Sequence, residues 1–600
     1  MLLQNIQYPQ IGEIALELYM RYNEKDILLD RVKNQVVIKA GSYISFDTYF
    51  NSFSYEKWKK YTVLENLNIS IRLKGCCEIA ITQIELDREG KNPEIYVINS
   101  KRIEEEIEND IVLKINPYSS KGIIAFKIYA IKDTVFYGGA YNSDIDELKL
   151  EAINIALCIC TYKRESYITK NIEMLVKNVL QNKLSIINDH LRVYIIDNGQ
   201  TLNNDIIKSE KIKLFKNINS GGCGGFTRAI IEALNDMDLF NLTHLILMDD
   251  DVVFTHFVLE RNYIFIKMLK PQMKNAMLGG GMLNLNRPSI QHAAGETWSL
   301  NGIYYNKLNK NLNSLKEIIK NEIEEGINYV AWWYCCFPLT NELRKNLSLP
   351  LFFQMDDIDF GLRNAGLQKI TLNGICIWHE SFDKKNASAK EYYWLRNMFY
   401  LASIHCNKKE FNKKYLKKII TELVLIKLFL YRYNDAHIIL RAIEDFLKGL
   451  DWLSKQNPKD LNDDILNSVY KMKPIQELPV NFKYNEYLES FKEIKRKSKK
   501  IIRRITINGW LLKANHDVII PVVNPFMSKL YRAKRVLNYD ADAQRGFVTE
   551  KSYKEAWSVY RHLRKVISFI DVKFSKTVKR NREIYPKIIT EEFWRKYLKI

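Results

Sequence analysis

At 600 residues, 47% hydrophobic and with a formal net charge of +20, the chain is long enough for several domains with ample cores. No apolar run approaches the roughly 18 residues that cross a bilayer; the best, Leu423 to Tyr431, carries Lys427. The amino terminus lacks a charged segment followed by an apolar one, which argues against a secretory signal and for a chain that stays inside the cell. Nine cysteines without a Cys-x2-Cys spacing argue against zinc and for reduced core thiols.

Residues 1–148 alternate strand-like runs (Val36 to Lys39, Leu67 to Leu73, Glu78 to Ile84, Ile123 to Ile131) with turns, which predicts a β-sandwich. Residues 152–160 form an apolar strand followed by Thr161-Tyr162-Lys163-Arg164 and a helical pattern over 168–182. A second strand, Leu191 to Ile196, closes on Asp197-Asn198-Gly199. The glycine-rich run Asn219-Ser220-Gly221-Gly222-Cys223-Gly224-Gly225-Phe226 then opens a helix to about Leu234. The next strand, Thr243 to Met248, ends on Asp249-Asp250-Asp251. Strands alternating with helices, each strand ending in polar residues, predict a parallel sheet whose ligand lies off the strands' carboxyl ends.

A buried strand cannot carry three adjacent carboxylates inward, because each unpaired charge costs several kcal/mol or shifts its pKa. The triplet therefore belongs at the strand's end, where Asp249 and Asp251 can converge on Mg2+ or Mn2+ with diphosphate oxygens in the remaining positions. A solvated turn or helix cap is the plain alternative. A second acidic group, Asp356-Asp357-x-Asp359, stands at the start of a helix, and complementing the helix dipole explains one or two of its members.

From Lys390 onward helical patterns dominate, with a stripe at Leu395, Met398, Phe399 and Ala402 and punctuation at Pro474, Pro479, Pro521 and Pro525. Residues 387–600 hold 45 Lys and Arg against 23 Asp and Glu, whereas residues 1–386 hold 45 against 47. The densest part, Lys492 to Arg504, has eight cations and one acid. It suits an anionic membrane surface, at about 1 kcal/mol per cation near the headgroups, with a solvated basic helix as the alternative. No nucleic-acid module accompanies the charge, so nucleic acid is not an expected partner.

Taken in order, strand-Thr-x-x-Arg, strand-Asp-Asn-Gly, Asn-x-Gly-Gly-x-Gly-Gly-Phe and strand-Asp-Asp-Asp resemble the inverting GT-A glycosyltransferases of family 2. Trp332-Trp333-Tyr334, Phe353 to Phe360 and Trp378-His379-Glu380 are similar to the galactofuranosyltransferases of mycobacterial cell-wall galactan, as are Phe46 to Phe53 and Trp58. The resemblance spans roughly residues 40–400 and implies a multidomain α/β protein. Its parts would be an amino-terminal β-sandwich over 1–148 that binds sugar or mediates oligomerisation, a Rossmann-like GT-A domain over 149–386, and a basic, mainly helical region over 387–600.

The resemblance also implies roles. Asp249 and Asp251 would ligate Mn2+ or Mg2+ with His379 completing the shell. Asp197 would accept from the uracil, Thr161 and Arg164 would hold the nucleotide, and Asn219 with its glycines would let backbone approach the donor. Asp357 would be the general base, Asp356 would bind acceptor hydroxyls, and Glu296, Trp332 and Trp333 would form the acceptor site, with exposed indoles stacking on sugars. Phe382 stands where the mycobacterial pattern has another tryptophan, so acceptor choice is expected to differ. The implied activity is transfer of galactofuranose from its UDP donor to a glycan or glycolipid acceptor, by an enzyme peripheral to the inner face of the cytoplasmic membrane. A pyranose donor and a non-catalytic carbohydrate-binding scaffold are the alternatives.

Overall fold

The computed structural model describes residues 1–9, 15–23, 26–30, 32–380, 388–478, 482–492, 497–541 and 543–600. The chain divides into two compact units: residues 1–217, 225–344 and 360–380 form the first, and residues 218–224, 345–359 and 381–600 the second.

The first unit begins with an antiparallel nine-stranded sheet. Its strands are β1 (Leu2–Asn5), β2 (Arg21–Tyr22), β3 (Ile27–Asp30), β4 (Gln35–Ile38), β5 (Tyr43–Ser45), β6 (Leu67–Leu86), β7 (Pro93–Ile115), β8 (Ile123–Ala130) and β9 (Thr134–Asn142). The runs read separately at 67–73 and 78–84 are one strand, β6. Its first half pairs with β9 and its second half with β8. The change of partner occurs at Gly75, at φ +135°, where a Cβ would come within 2.7 Å of the Thr134 Cα. The two halves of the sheet meet through aromatic rings: Phe126 of β8 lies 6.4 Å from both Phe136 and Tyr141 of β9, and Phe46 stacks on Phe126 at 4.5 Å. The expected sandwich is thus one continuous sheet folded on itself. Among the described residues β7 pairs only with β6, leaving its outer edge open.

A short helix, α1 (Tyr55–Tyr61), stands between β5 and β6. Then β10 (Ile155–Thr161), β11 (Leu191–Asp197), β12 (Ile212–Lys216) and β13 (His244–Asp249) run parallel in the order β12-β11-β10-β13. Thr161 is level with Asp197, and Cys160 with Asp249. Helices α2 (Glu165–Leu175), α3 (Gly221–Asn235) and α4 (His256–Lys267) follow β10, β12 and β13. Beyond β13 the sheet changes character. The strands β14 (Met277–Asn284), β15 (Arg287–Ala293), β16 (Glu296–Ser299), β17 (Gly302–Tyr305), β18 (Lys310–Asn311) and β19 (Tyr334–Pro338) pair antiparallel, with β16 and β17 as a separate hairpin. The last, β20 (Lys369–His379), runs parallel to β14. The parallel expectation therefore holds for β10 to β13, the strands it was read from, and β14 with β20 adds one further parallel pair. Residues on and beside both sheets, Tyr49, Phe50, Ile84 and Ile123 with Leu283, Ile318, Cys376 and Trp378, share one buried core.

Two more helices, α5 (Leu315–Glu322) and α6 (Asp356–Arg363), precede β20. In the second unit α7 (Ser388–His405), α8 (Lys413–Phe429), α9 (Tyr433–Lys448) and the 36-residue helix Tyr553–Ile588 pack together. The stripe Leu395, Met398, Phe399 and Ala402 is buried on α7, as its spacing predicts. The helical expectation is incomplete, because β21 (Lys473–Pro474), β22 (His516–Pro521), β23 (Ala533–Asp540) and β24 (Arg545–Glu550) form a four-stranded sheet. Its strands are short and bounded by prolines and charges, so no clear period-2 signal marks them. Part of the basic run forms a helix, Lys497–Ile505, that exposes Ile501, Ile502 and Ile505; Glu493 to Arg496, Pro479 and Phe382 lie outside the described residues. No helix among the described residues is long and apolar enough to cross a membrane.

Candidate active site

Asp249 is the last residue of β13 and His379 the last of β20, so two strand ends deliver the donors predicted from sequence. One atom each from Asp249, Asp251 and His379 lies within 4.8 Å of the others. His379 Nε2 is 3.2 Å from Asp251 Oδ1, and its Nδ1 faces the Glu380 carbonyl at 2.5 Å, which fixes the ring. Just past the triplet, Val253 and Trp378 exchange backbone hydrogen bonds of 2.8 Å in both directions, locking the aspartate turn to the end of β20.

The electrostatics suit a cation. Burial, then the Asp251 charge, push the Asp249 carboxyl up to about 7. Burial opposes charge on His379, but the Asp251 and Asp249 carboxylates outweigh it and raise its pKa. Two hard carboxylates and one imidazole around a point where negative charge is disfavoured fit Mn2+ or Mg2+.

Arg164 also borders this centre. Its Nη1 bridges Asp250 Oδ1 at 2.7 Å and Asp251 Oδ2 at 2.9 Å, which orders the triplet. Asn171 donates to the carbonyls of Asp250 and Val252 at 3.3 and 3.0 Å, and the Tyr167 hydroxyl to Glu380 Oε1 at 3.3 Å. Sequence reading missed Tyr167 and Asn171. Their signal was available, since positions 164, 167 and 171 share one helix face.

Thr161 and Asp197 end adjacent parallel strands and are buried. Both Asp197 oxygens accept backbone N–H groups at 2.8 Å, from Gly199 and Leu202, so this carboxylate shapes its own turn. Gly225 is required by packing: a Cβ there would lie 2.0 Å from the Cys160 sulfur. Glu296 accepts from the Ala331 N–H at 3.2 Å, next to the tandem tryptophans. The expectation of exposed indoles is not met. Trp332 is 4% exposed, edge-on to Phe226 and Phe360, and Trp333 is 7% exposed with Nε1 donating to the Gly280 carbonyl at 2.8 Å.

Asn219, Asp356 and Asp357 lie in the second unit. Asn219 Oδ1 accepts from the Gly221 N–H at 3.2 Å. Gly221, at φ +70°, lies so close to the Phe352 carbonyl that a Cβ would be 1.8 Å from its oxygen. Phe352, Gln354 and Met355 all have positive φ, a strained approach to the acidic pair. The buried Asn397 Nδ2 holds it by donating to the carbonyls of Phe353, Gln354 and Leu351 at 2.8, 3.1 and 3.3 Å, and Arg396 adds a 2.7 Å bond to Leu351. Asp357 Oδ1 accepts the Ile358 N–H at 2.8 Å in the first turn of α6. Burial pushes the Asp356 carboxyl up to about 6. Asp359 is fully buried against His405 Nε2 at 2.9 Å and is structural.

Residues 3–144 match the family model described as galactofuranosyltransferase 2 N-terminal. The chain is 25% identical over 479 residues to galactofuranosyltransferase GlfT2 of Mycobacterium tuberculosis, covering 75% of this chain and 72% of that protein. It is 24% identical over 486 residues to GlfT2 of Mycolicibacterium smegmatis, covering 75% and 71%. Among solved structures, a Clostridium thermocellum xylanase 10B fragment is 11% identical with a TM-score of 0.18, covering 32% of this chain and 38% of that one, too slight to argue from. The chain is galactofuranosyltransferase-like, a relative of GlfT2 over three quarters of its length.

Proposed function

We propose that the protein is an inverting, metal-dependent glycosyltransferase with a GT-A catalytic domain over 149–386, moving galactofuranose from UDP-galactofuranose to a glycan or lipid-linked glycan. The observation that carries this reading is the convergence of Asp249, Asp251 and His379 at the ends of two strands, in a chain similar to GlfT2. When bound there, Mn2+ or Mg2+ would neutralise the departing diphosphate. Arg164 keeps Asp250 and Asp251 in place, and Thr161 and Asp197 border the nucleotide. Asp357 takes the proton from the acceptor hydroxyl as that oxygen bonds to the anomeric carbon and the bond to UDP breaks. This single displacement inverts the centre without a covalent intermediate.

The basic carboxyl-terminal region would hold the enzyme to the inner face of the cytoplasmic membrane, where lipid-linked acceptors are presented. Mass spectrometry of products from a panel of UDP-sugars with Mn2+ tests the reading. Transfer from UDP-galactofuranose alone supports it, transfer from a pyranose donor alone replaces the donor, and absence of both transfer and UDP release points to a binding scaffold.

A further inference from the structure

The Phe46 to Phe53 loop and Trp58 of α1 have no part in the chemistry above, yet Phe50 and the neighbouring Lys57 reach the metal-binding strand. Every residue of β20 is buried, and the amino-terminal module touches it repeatedly. Lys57 Nζ donates to the Thr371 carbonyl at 2.5 Å. Arg261 ties Asn373 to Phe50 by donating to their carbonyls at 2.9 and 2.5 Å, and Gly374, at φ +77°, leaves room for this guanidinium. At the end of the strand the Phe50 ring lies 5.7 Å from the ring of Trp378, whose Nε1 donates to the Pro288 carbonyl at 3.0 Å. Trp378 is therefore fixed through its backbone by Val253 and through its ring by Phe50. The next residue is His379.

We propose that Phe50 is a positioning residue for the metal centre: the amino-terminal module is the rear support of β20 and acts through Trp378 to hold His379 against Asp251. Phe46 provides the contrast, since its ring contacts, Phe126 and Phe136, lie within the module. Losing a group bonded directly to a metal ligand typically weakens metal binding about 10- to 100-fold, and Phe50, one residue removed, should act at the lower end of that range.

This rests on the metal reading above, and the test separates the two. Mn2+ affinity of the full chain with UDP is measured by electron paramagnetic resonance for the wild type, His379→Ala, Phe50→Leu, Phe50→Met, whose flexible side chain can refill part of the space, and Phe46→Leu, with thermal unfolding of each. Both phenylalanine sites are fully buried, so their leucine variants should lose melting temperature alike. Only the Phe50 variants should lose Mn2+ affinity, by about tenfold or more. Should Phe50→Met fold and bind Mn2+ as the wild type does while His379→Ala does not, the positioning role is wrong and the metal centre stands. Should His379→Ala bind like the wild type, both fall.

Discussion

Trp378 and Val253 exchange their backbone N–H and carbonyl groups at 2.8 Å, so residues far apart in sequence form a two-bond clamp directly behind Asp251 and His379. The spacing of the three donor groups is thereby a property of the sheet and not of flexible loops. Replacing Asp249 or Asp251 by alanine should abolish transfer and weaken UDP binding in Mn2+, with little effect on UDP binding in EDTA. Titration calorimetry under the two conditions checks this, and wild-type activity insensitive to EDTA would remove the metal from the account.

Asp357→Asn should leave UDP-sugar affinity nearly intact and lower turnover by at least about a hundredfold, as loss of a general base does. Normal turnover at saturation with poor donor binding would assign Asp357 to the donor site instead.

The strained approach to Asp356 and Asp357 depends on Asn397, whose amide satisfies three carbonyls. Asn397→Ala should cost about 1–3 kcal/mol of stability, as buried carbonyls lose their donor. Turnover should fall more than UDP-sugar affinity does. Denaturant midpoints and steady-state kinetics read both effects.

Lys307 is buried, and burial followed by the Lys57 charge brings its pKa down from 10.5 to about 7. Between those values the unfolded chain binds more protons at this site than the folded one, so the contribution of this site to stability rises with pH across that window. Lys307→Met should therefore stabilise most near pH 7 and lose that advantage toward pH 10. Equal gains in denaturant midpoint at both pH values would refute the argument.

Replacing Lys495, Arg496, Lys499 and Lys500 by glutamate should release the protein from anionic liposomes and leave turnover on a short soluble acceptor unchanged; wild-type binding should also weaken with salt. Co-sedimentation decides it, and equal pelleting of wild type and variant at low salt would assign the basic surplus another role.

The parallel strands, the aspartate triplet and the buried stripe of α7 were legible because period and strand-end chemistry are local. The reversal of direction after β13 was not, since strand direction is fixed by pairing partners. Exposed indoles at Trp332 and Trp333 were wrongly expected because a tandem of aromatics reads the same whether it faces sugar or, as here, Phe226, Phe360 and the Gly280 carbonyl. The role of Arg164 could be anticipated only as a cation near phosphate; its bridge across Asp250 and Asp251 depends on how α2 sits over the turn.

Among the described residues the outer edge of β7, a 23-residue strand, has no strand partner for its outward-facing N–H and C=O groups, and Ile95, Val97, Ile107 and Val112 are exposed along the strand, a template on which another extended chain could grow. Glu104, Glu105, Glu106, Glu108 and Asp110 sit on that same strand and make self-stacking repulsive. A variant with these five neutralised should keep its fold yet turn thioflavin-positive on storage, and salt, by screening the carboxylates, should bring the wild type toward the same behaviour.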